Sequence, residues 1–235
     1  STLDRNALQA RLDQLAALPD VHGYVTRTFC EDARYFQPAN GRRIDAIRAG
    51  IDTFASSPQE RALLLTSLIE AADRVDSMTG LQMAYLKQWA ARSYRPLALR
   101  VPELLDGPGR ALGLDARACV EREETFDVAY LDPPYNQHSY FSNYHIWETL
   151  VRGDSPPAYG IARKREDCRT TKSAFNQRPN AWNALRDVVL GVRARHVLLS
   201  FSDEGFFTDV AIRALLAERF DEVAVIPVDS PRYVG

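Results

Sequence analysis

Cysteine is scarce in these 235 residues: there are three, at Cys30, Cys119 and Cys168. An odd number, widely spaced, matches neither a disulfide framework nor a metal-ligand pattern. The sequence therefore implies three free thiols in a reducing cytoplasm and no metal site. Long apolar runs are missing too. No stretch approaches the roughly 18 residues of a membrane helix. Residues 1–20 form a charged, amphipathic opening rather than a signal peptide. Neither sign of charge dominates, with 29 Lys and Arg against 31 Asp and Glu and a formal net charge of -2. A near-neutral chain still binds nucleic acid where a local basic patch exists, so distribution matters more than the sum. Internal repeats and low-complexity tracts are absent. What is present is globular: 46% hydrophobic, 26% charged and 10% aromatic residues. Those values exclude a disordered chain. The length suits one domain, or one domain with a sizeable insertion.

The first 100 residues read as helical. Leu8, Leu12, Leu15 and Leu18 stand at helical spacing. Residues 22–40 read as loop and aromatics, and 41–54 and 58–75 as two further helices. Pro58 suits a first helical turn, and the run Leu63, Leu64, Leu65, Leu68, Ile69 supplies a buried stripe. Residues 81–89 predict a fourth helix. Pro96 to Gly113 reads as a connector. The pattern then changes to short apolar strands, FDVAYL at 126–131, HVLLSF at 196–201 and EVAVIPV at 222–228. Helices are predicted between them, near 142–152, 181–193 and 208–219. Strands alternating with helices argue for a parallel α/β sheet. The expected division is a helical region over 1–100 and an α/β region over 101–235.

A glycine-rich phosphate turn is another absence. Residues 106–113 are rich in glycine, but no strand precedes them and Pro108 spoils a phosphate cradle. The sharpest feature is instead Asp132-Pro133-Pro134-Tyr135, directly after FDVAYL. The carboxyl ends of strands are where open α/β sheets bind ligands. The two prolines fix φ and donate no hydrogen bond. They stiffen the segment, so that the Asp132 carboxylate and the Pro133 carbonyl converge on one point. Two acceptors there suit an amino group, and Tyr135 offers a flat face to an aromatic ring. An exocyclic amine on a stacked heterocycle satisfies all three.

The run LDPPYNQHSYFSNYHIWETL resembles the D12-class, Dam-related adenine-specific DNA methyltransferases. The segments SLIEAADRVDS at 67–77 and HVLLSFSDEG at 196–205 add to the likeness, which covers roughly residues 20–235. The resemblance implies a Rossmann-like sheet that is partial in this chain, with a helical target-recognition region over 1–100. It implies S-adenosyl-L-methionine as methyl donor and double-stranded DNA as partner, in a restriction–modification setting. Whether a restriction endonuclease partner exists is not written in these residues. Asp132, Pro133, Pro134 and Tyr135 would be the catalytic set, acting on an adenine flipped out of the duplex. The methyl group would pass directly to N6, and no cysteine stands in a nucleophile context. Asp115 and Asp132 would stand beside the cofactor, although Asp115 also suits a helix N-cap over 116–120. Members of the family open with a Phe-x-Gly-x-Gly turn. None precedes Asp132, and the chain ends at Pro231–Gly235, so an incomplete chain is expected.

Residues 152–178 hold seven Lys and Arg against three Asp and Glu, a net of +4. They read as an exposed loop in which Arg163, Lys164, Arg165, Arg169 and Lys172 contact phosphates. Trp147 reads as core, Asn143 and Tyr144 as pocket lining, and His138 and His145 as no metal ligands. Ser200, Ser202, Asp203 and Glu204 are expected at the same sheet edge as Asp132, without a nucleophile elbow around them. Two other functional readings stay open. One keeps the chemistry and moves it to RNA adenine, cytosine N4 or a protein glutamine. The other is a non-catalytic or split DNA-binding remnant.

Overall fold

Leu8, Leu12 and Leu15 lie fully buried along α1 (Arg5–Ala16), as their spacing predicts. The computed structural model describes residues 4–105, 107–122 and 124–229. The expected chain end at Pro231–Gly235 lies outside the described residues. In α2 (Pro38–Phe54) Ile44, Ile47 and Ile51 repeat the helical stripe behind a proline in the first turn. In α3 (Pro58–Asp73) the Ser57 hydroxyl accepts from the Glu60 amide at 3.1 Å, and Glu60 reaches back to the Ser56 amide at 2.7 Å. That reciprocal cap satisfies two otherwise orphaned donors. The Ser56 bonds, followed by Arg11, hold the Glu60 carboxyl below its ordinary range. A π-helical turn (Thr26–Glu31) occupies the stretch that reads as loop. Asp45 anchors its entry by accepting from the amides of Gly23, Val25 and Thr26, each at 2.9 Å.

The chain divides into two compact units. The first takes Ser1–Asp106 and Phe141–Arg169, the second Gly107–Tyr140 and Thr170–Val234. The division differs from one break near residue 100, because 141–169 pack with the N-terminal helices. In the first unit α6 (His145–Arg152) follows the short α5 (Tyr140–Asn143). Gly153 closes α6 at φ 66°, a left-handed conformation that costs glycine nothing. The Arg48 guanidinium lies where a Cβ on Gly153 would fall. It donates to the carbonyls of Leu150 and Val151, so a buried cation caps the helix carboxyl end. A two-residue hairpin, β2 (Ala158–Tyr159) with β3 (Lys164–Arg165), completes this unit.

Residues 81–89 are not helical. They form an irregular run with one isolated bridge, Met78 to Tyr85. The buried Gln82 explains why. Its carbonyl pairs with the Nε2 of His145 at 2.8 Å and accepts from Tyr35 at 3.0 Å, while its amide donates to Asn143. A helix would take those backbone groups for itself. His145 is fully buried beside Phe29 and Tyr35, and burial pushes its pKa down to about 4. The unfolded chain binds the proton that the folded chain refuses. Stability is therefore full above the ordinary value of 6.5 and falls as pH drops toward about 4. The loss should total about 3 kcal/mol. Urea melts at pH 7 and pH 4.5 check this. A His145→Phe variant should lose most of the pH dependence, and an unchanged dependence would point to another group.

The second unit is built on two parallel strands, β1 (Phe126–Leu131) and β4 (Ala194–Leu199), in register from Phe126 opposite Ala194 to Leu131 opposite Leu199. α4 (Ala116–Val120) precedes β1, α7 (Arg178–Gly191) precedes β4, and α8 (Asp209–Ala217) follows it. Phe175, Leu185, Val188, Val189 and Leu215 form the core, with Leu131 and Leu199 packed against it. The other face of β1 is open: Phe126, Val128 and Tyr130 are exposed. The apolar run suggests a strand buried on both faces, and here the described helices cover one. Residues 222–228, expected as a third strand, form no strand among the described residues. The architecture is mixed α/β with a small parallel sheet.

Candidate functional site

Asp132 is exposed at the carboxyl end of β1, and Pro133, Pro134 and Tyr135 are half-buried behind it. β4 ends beside it, where the Ser200 amide donates to the Leu131 carbonyl at 2.9 Å. The two parallel strands therefore deliver Asp132 and Ser200 to one edge, as the sequence suggests. Tyr135 is held twice over. Its carbonyl accepts from the Phe206 amide at 2.8 Å. Its ring meets Phe201 edge-on, centroids 6.2 Å apart at 66°. Phe201 stacks on Phe207 at 6.1 Å and 28°, and Phe207 meets Trp182 at 5.0 Å and 71°. Such offset and edge contacts fix ring orientation as well as burying area. The sequence reading missed this aromatic wall. Its signal was available in Phe201, Phe206 and Phe207, which crowd the turn after β4.

A second missed residue is Asn176. Its side-chain amide donates to the carbonyls of Asn136 at 2.9 Å and His138 at 3.0 Å. The Asn136 side chain in turn accepts from the His138 amide at 2.9 Å. The loop after Tyr135 is thus tied down by its own turn and by one distant asparagine. A turn around a lone Asn carries no distinctive sequence signal, so only the fold reveals the clamp.

Asp115 caps α4, accepting from the Arg117 amide at 3.0 Å, and pairs with the Arg117 guanidinium at 3.3 Å. Both contacts use Oδ1. It lines a cleft of about 690 Å³ between α4 and α7, with Glu121, Asp187 and Arg193. Asp132 is not among the residues lining that cleft.

The basic segment is ordered, and most of its charge is spoken for. Arg165 is 1% exposed. It makes a fork with Asp154 at 2.6 and 2.8 Å, binds both oxygens of Asp167 at 3.0 Å, and donates to the Thr149 hydroxyl at 3.1 Å. The expectation that Arg165 meets phosphate is corrected by this burial. Arg163 pairs with Asp32 at 3.4 Å. Arg169 pairs with Glu166 at 2.9 Å and lies 4.1 Å over the Tyr159 ring. Lys164 and Lys172 make no ion pair among the described residues. Asn143 is buried and Tyr144 is 39% exposed, both within the first unit. Cys30 and Cys168 are buried and Cys119 is exposed, all three free. Among the described residues no group of three His, Cys, Asp or Glu could hold a metal ion. No helix among them is long and apolar enough to cross a membrane.

The model of the D12 class N6 adenine-specific DNA methyltransferases matches residues 6–199. The chain belongs to that family. The D12 match takes in both strands, the Asp132–Tyr135 edge and all the helices except α8 and the first residue of α1. Modification methylase StsI of Streptococcus sanguinis is 32% identical over 193 residues, 80% of this chain and 29% of the relative. Type II methyltransferase M.FokI of Planomicrobium okeanokoites is 33% identical over 201 residues, 83% of this chain and 31% of the relative. Type II methyltransferase M.NlaIII of Neisseria lactamica is 25% identical, with 99% of this chain and 70% of the relative covered. The chain thus spans about a third of the length of StsI and M.FokI. No solved structure matches this D12 chain.

Proposed function

We propose that this D12 chain carries the acceptor side of an S-adenosylmethionine-dependent methyltransferase that modifies the N6 amino group of adenine in double-stranded DNA. The observation that carries the reading is an exposed Asp132 at the end of a parallel strand, followed by two prolines and a braced aromatic ring. The two strands are then part of a Rossmann-like sheet, and the helical first unit is the target-recognition region. The Asp132 carboxylate and the Pro133 carbonyl accept from the adenine amine and orient its nitrogen lone pair. Tyr135 stacks on the flipped base, with Phe201 bracing its edge. The cofactor supplies the methyl group when bound. Asp115 fits its adenine amine, since the helix cap and the ion pair both use Oδ1 and leave Oδ2 to accept. Positioning and electrostatics account for the acceleration, and no covalent enzyme intermediate is needed. Lys164 and Lys172 are the remaining phosphate contacts of the basic segment, and the cytoplasm is the setting.

The test is transfer of a tritiated methyl group to duplex DNA, followed by digestion to nucleosides. Label in N6-methyladenine supports the proposal, and label in N4-methylcytosine or in RNA overturns the acceptor. DNA binding without transfer would leave only the DNA-binding reading. In the same assay Tyr135→Phe should stay close to wild type, while Tyr135→Ala loses the stacked base, worth about 1–3 kcal/mol. Equal damage from both would mean that the hydroxyl matters and the ring face does not.

A further inference from the structure

Residues 77–102 contain four cations, Lys87, Arg92, Arg95 and Arg100, and no acid. The flanking acids are Asp76 and Glu103. An acid-free run of this length in a chain with more acids than bases is a local reversal of sign. The structure makes its second half, residues 86–100, a fixed strip across the helices of the first unit. Three buried residues hold it by its backbone. Ser77 takes the Leu86 amide on its carbonyl and the Ala90 amide on its hydroxyl. Asn40, 5% exposed, donates to the carbonyls of Ser93 at 3.1 Å and Arg95 at 2.9 Å, and accepts from the Leu97 amide at 3.0 Å. Ser67 bonds both the carbonyl and the amide of Arg100, at 2.7 and 3.2 Å. Beyond Pro96 the strip alternates. Leu97, Leu99 and Val101 pack on the core, while Ala98 and Arg100 are exposed.

The charges on the strip differ in kind from those of residues 163–169. Arg163, Arg165 and Arg169 each have a carboxylate partner. Lys87, Arg95 and Arg100 are exposed and have no ion-pair partner among the described residues. Only Arg92 is paired, to Asp76. Beside them the Arg34 guanidinium lies 4.8 Å over the Trp89 ring and donates to the Lys87 carbonyl, so one more cation is fixed at the strip. Tyr94 is 69% exposed between Arg92 and Arg95. Unneutralised cations on a rigid backbone, with aromatics among them, are what a row of phosphates requires.

We propose that residues 87–100 are the track on which the phosphate backbone of duplex DNA lies, with Lys87, Arg95 and Arg100 as its contacts. The proposal rests on the DNA reading above and adds a phosphate surface to the two lysines, Lys164 and Lys172, that it names. The contacts are sequence-blind: they set register and orientation, and target choice belongs to other residues.

The experiment is a salt titration of binding to target and non-target duplexes, on the full chain. It compares wild type with Lys87→Gln/Arg95→Gln/Arg100→Gln. These side chains are exposed, so thermal melts of the two proteins should coincide. Each lost phosphate contact flattens the slope of log affinity on log salt by about 0.9, so three should remove about 2.7. Both duplexes should weaken alike. A matched control, Arg152→Gln/Arg163→Gln/Arg169→Gln, removes the same charge from ion-paired positions of the same unit and should leave the slope nearly unchanged. Equal flattening in the two variants would show that net charge is at work, and would overturn the track. So would an unchanged slope in the strip variant, a selective loss of target preference, or a stronger effect on RNA duplexes than on DNA. If wild type itself has no salt-dependent affinity for DNA, the DNA reading has failed and the track falls with it. That result is distinct from a wild type that binds and a strip variant that binds identically.

Discussion

Asp132→Ala is expected to cut methyl transfer to DNA by about 10²–10³-fold in turnover, the usual size of losing one preorganised group at a reacting centre. The side chain is exposed at the end of β1 and makes no hydrogen bond or ion pair among the described residues, so the melt should match wild type. Salt-dependent DNA affinity should also persist, since the proposed phosphate contacts are other residues. Asp132→Asn should fail nearly as badly, because the amide turns a donor toward an amine that needs an acceptor. Incorporation of a tritiated methyl group, measured beside a melt and a binding titration, separates chemistry from folding. A turnover within a factor of a few of wild type in Asp132→Ala would remove the carboxylate from the reaction.

Arg165→Ala should have the largest effect on stability. The guanidinium is nearly inaccessible, and five hydrogen bonds tie it to Asp154, Asp167 and Thr149. Removing one partner from a buried pair costs about 3–5 kcal/mol. Asp154 and Asp167 are over a third exposed, so water can take up part of their charge and the lower end of that range applies. Arg165→Lys should recover only part of the loss, since an ammonium cannot form both forks. Arg165 also holds the Asp167 carboxyl below its ordinary range. That contribution is present above the ordinary carboxylate pKa and disappears as pH falls through the lowered one. Denaturant melts at pH 7 measure the first effect. A melt unchanged by Arg165→Ala would mean that the hairpin is held by its backbone alone, and an accompanying loss of DNA affinity would restore the cation to the phosphate surface.

Much of this structure is legible in the sequence where the causes are local. β1 occupies the six residues that the FDVAYL run marks, and the caps of α3 and α4 follow from Ser57 and Asp115. The Asp132–Tyr135 edge is legible for the same reason, since a strand followed by two prolines fixes its own end. What fails is what depends on distant partners. Residues 81–89 have helical composition, yet the backbone of Gln82 is claimed by His145, Asn143 and Tyr35. Residues 222–228 have the composition of a strand, but a strand needs a neighbour to accept its hydrogen bonds, and none of the described residues provides one. A local count over 152–178 gives a net of +4, but Asp32, far away in sequence, neutralises Arg163. Charge is summed along the chain but cancelled through space. Residues 77–102 carry the same net of +4, but there only Arg92 has an ion-pair partner among the described residues.

The way Asn40, Ser67 and Ser77 hold the strip has a consequence for how such a protein changes over generations. Between them they grip main-chain carbonyls and amides, which every residue except proline presents in the same form. The grip is blind to what the strip displays. Positions 87, 94, 95, 98 and 100 can therefore be rewritten one at a time while the path stays put, so the outer surface can change its charge and shape without the scaffold being rebuilt. The three buried residues have no such latitude, because changing any of them shifts several displayed positions at once.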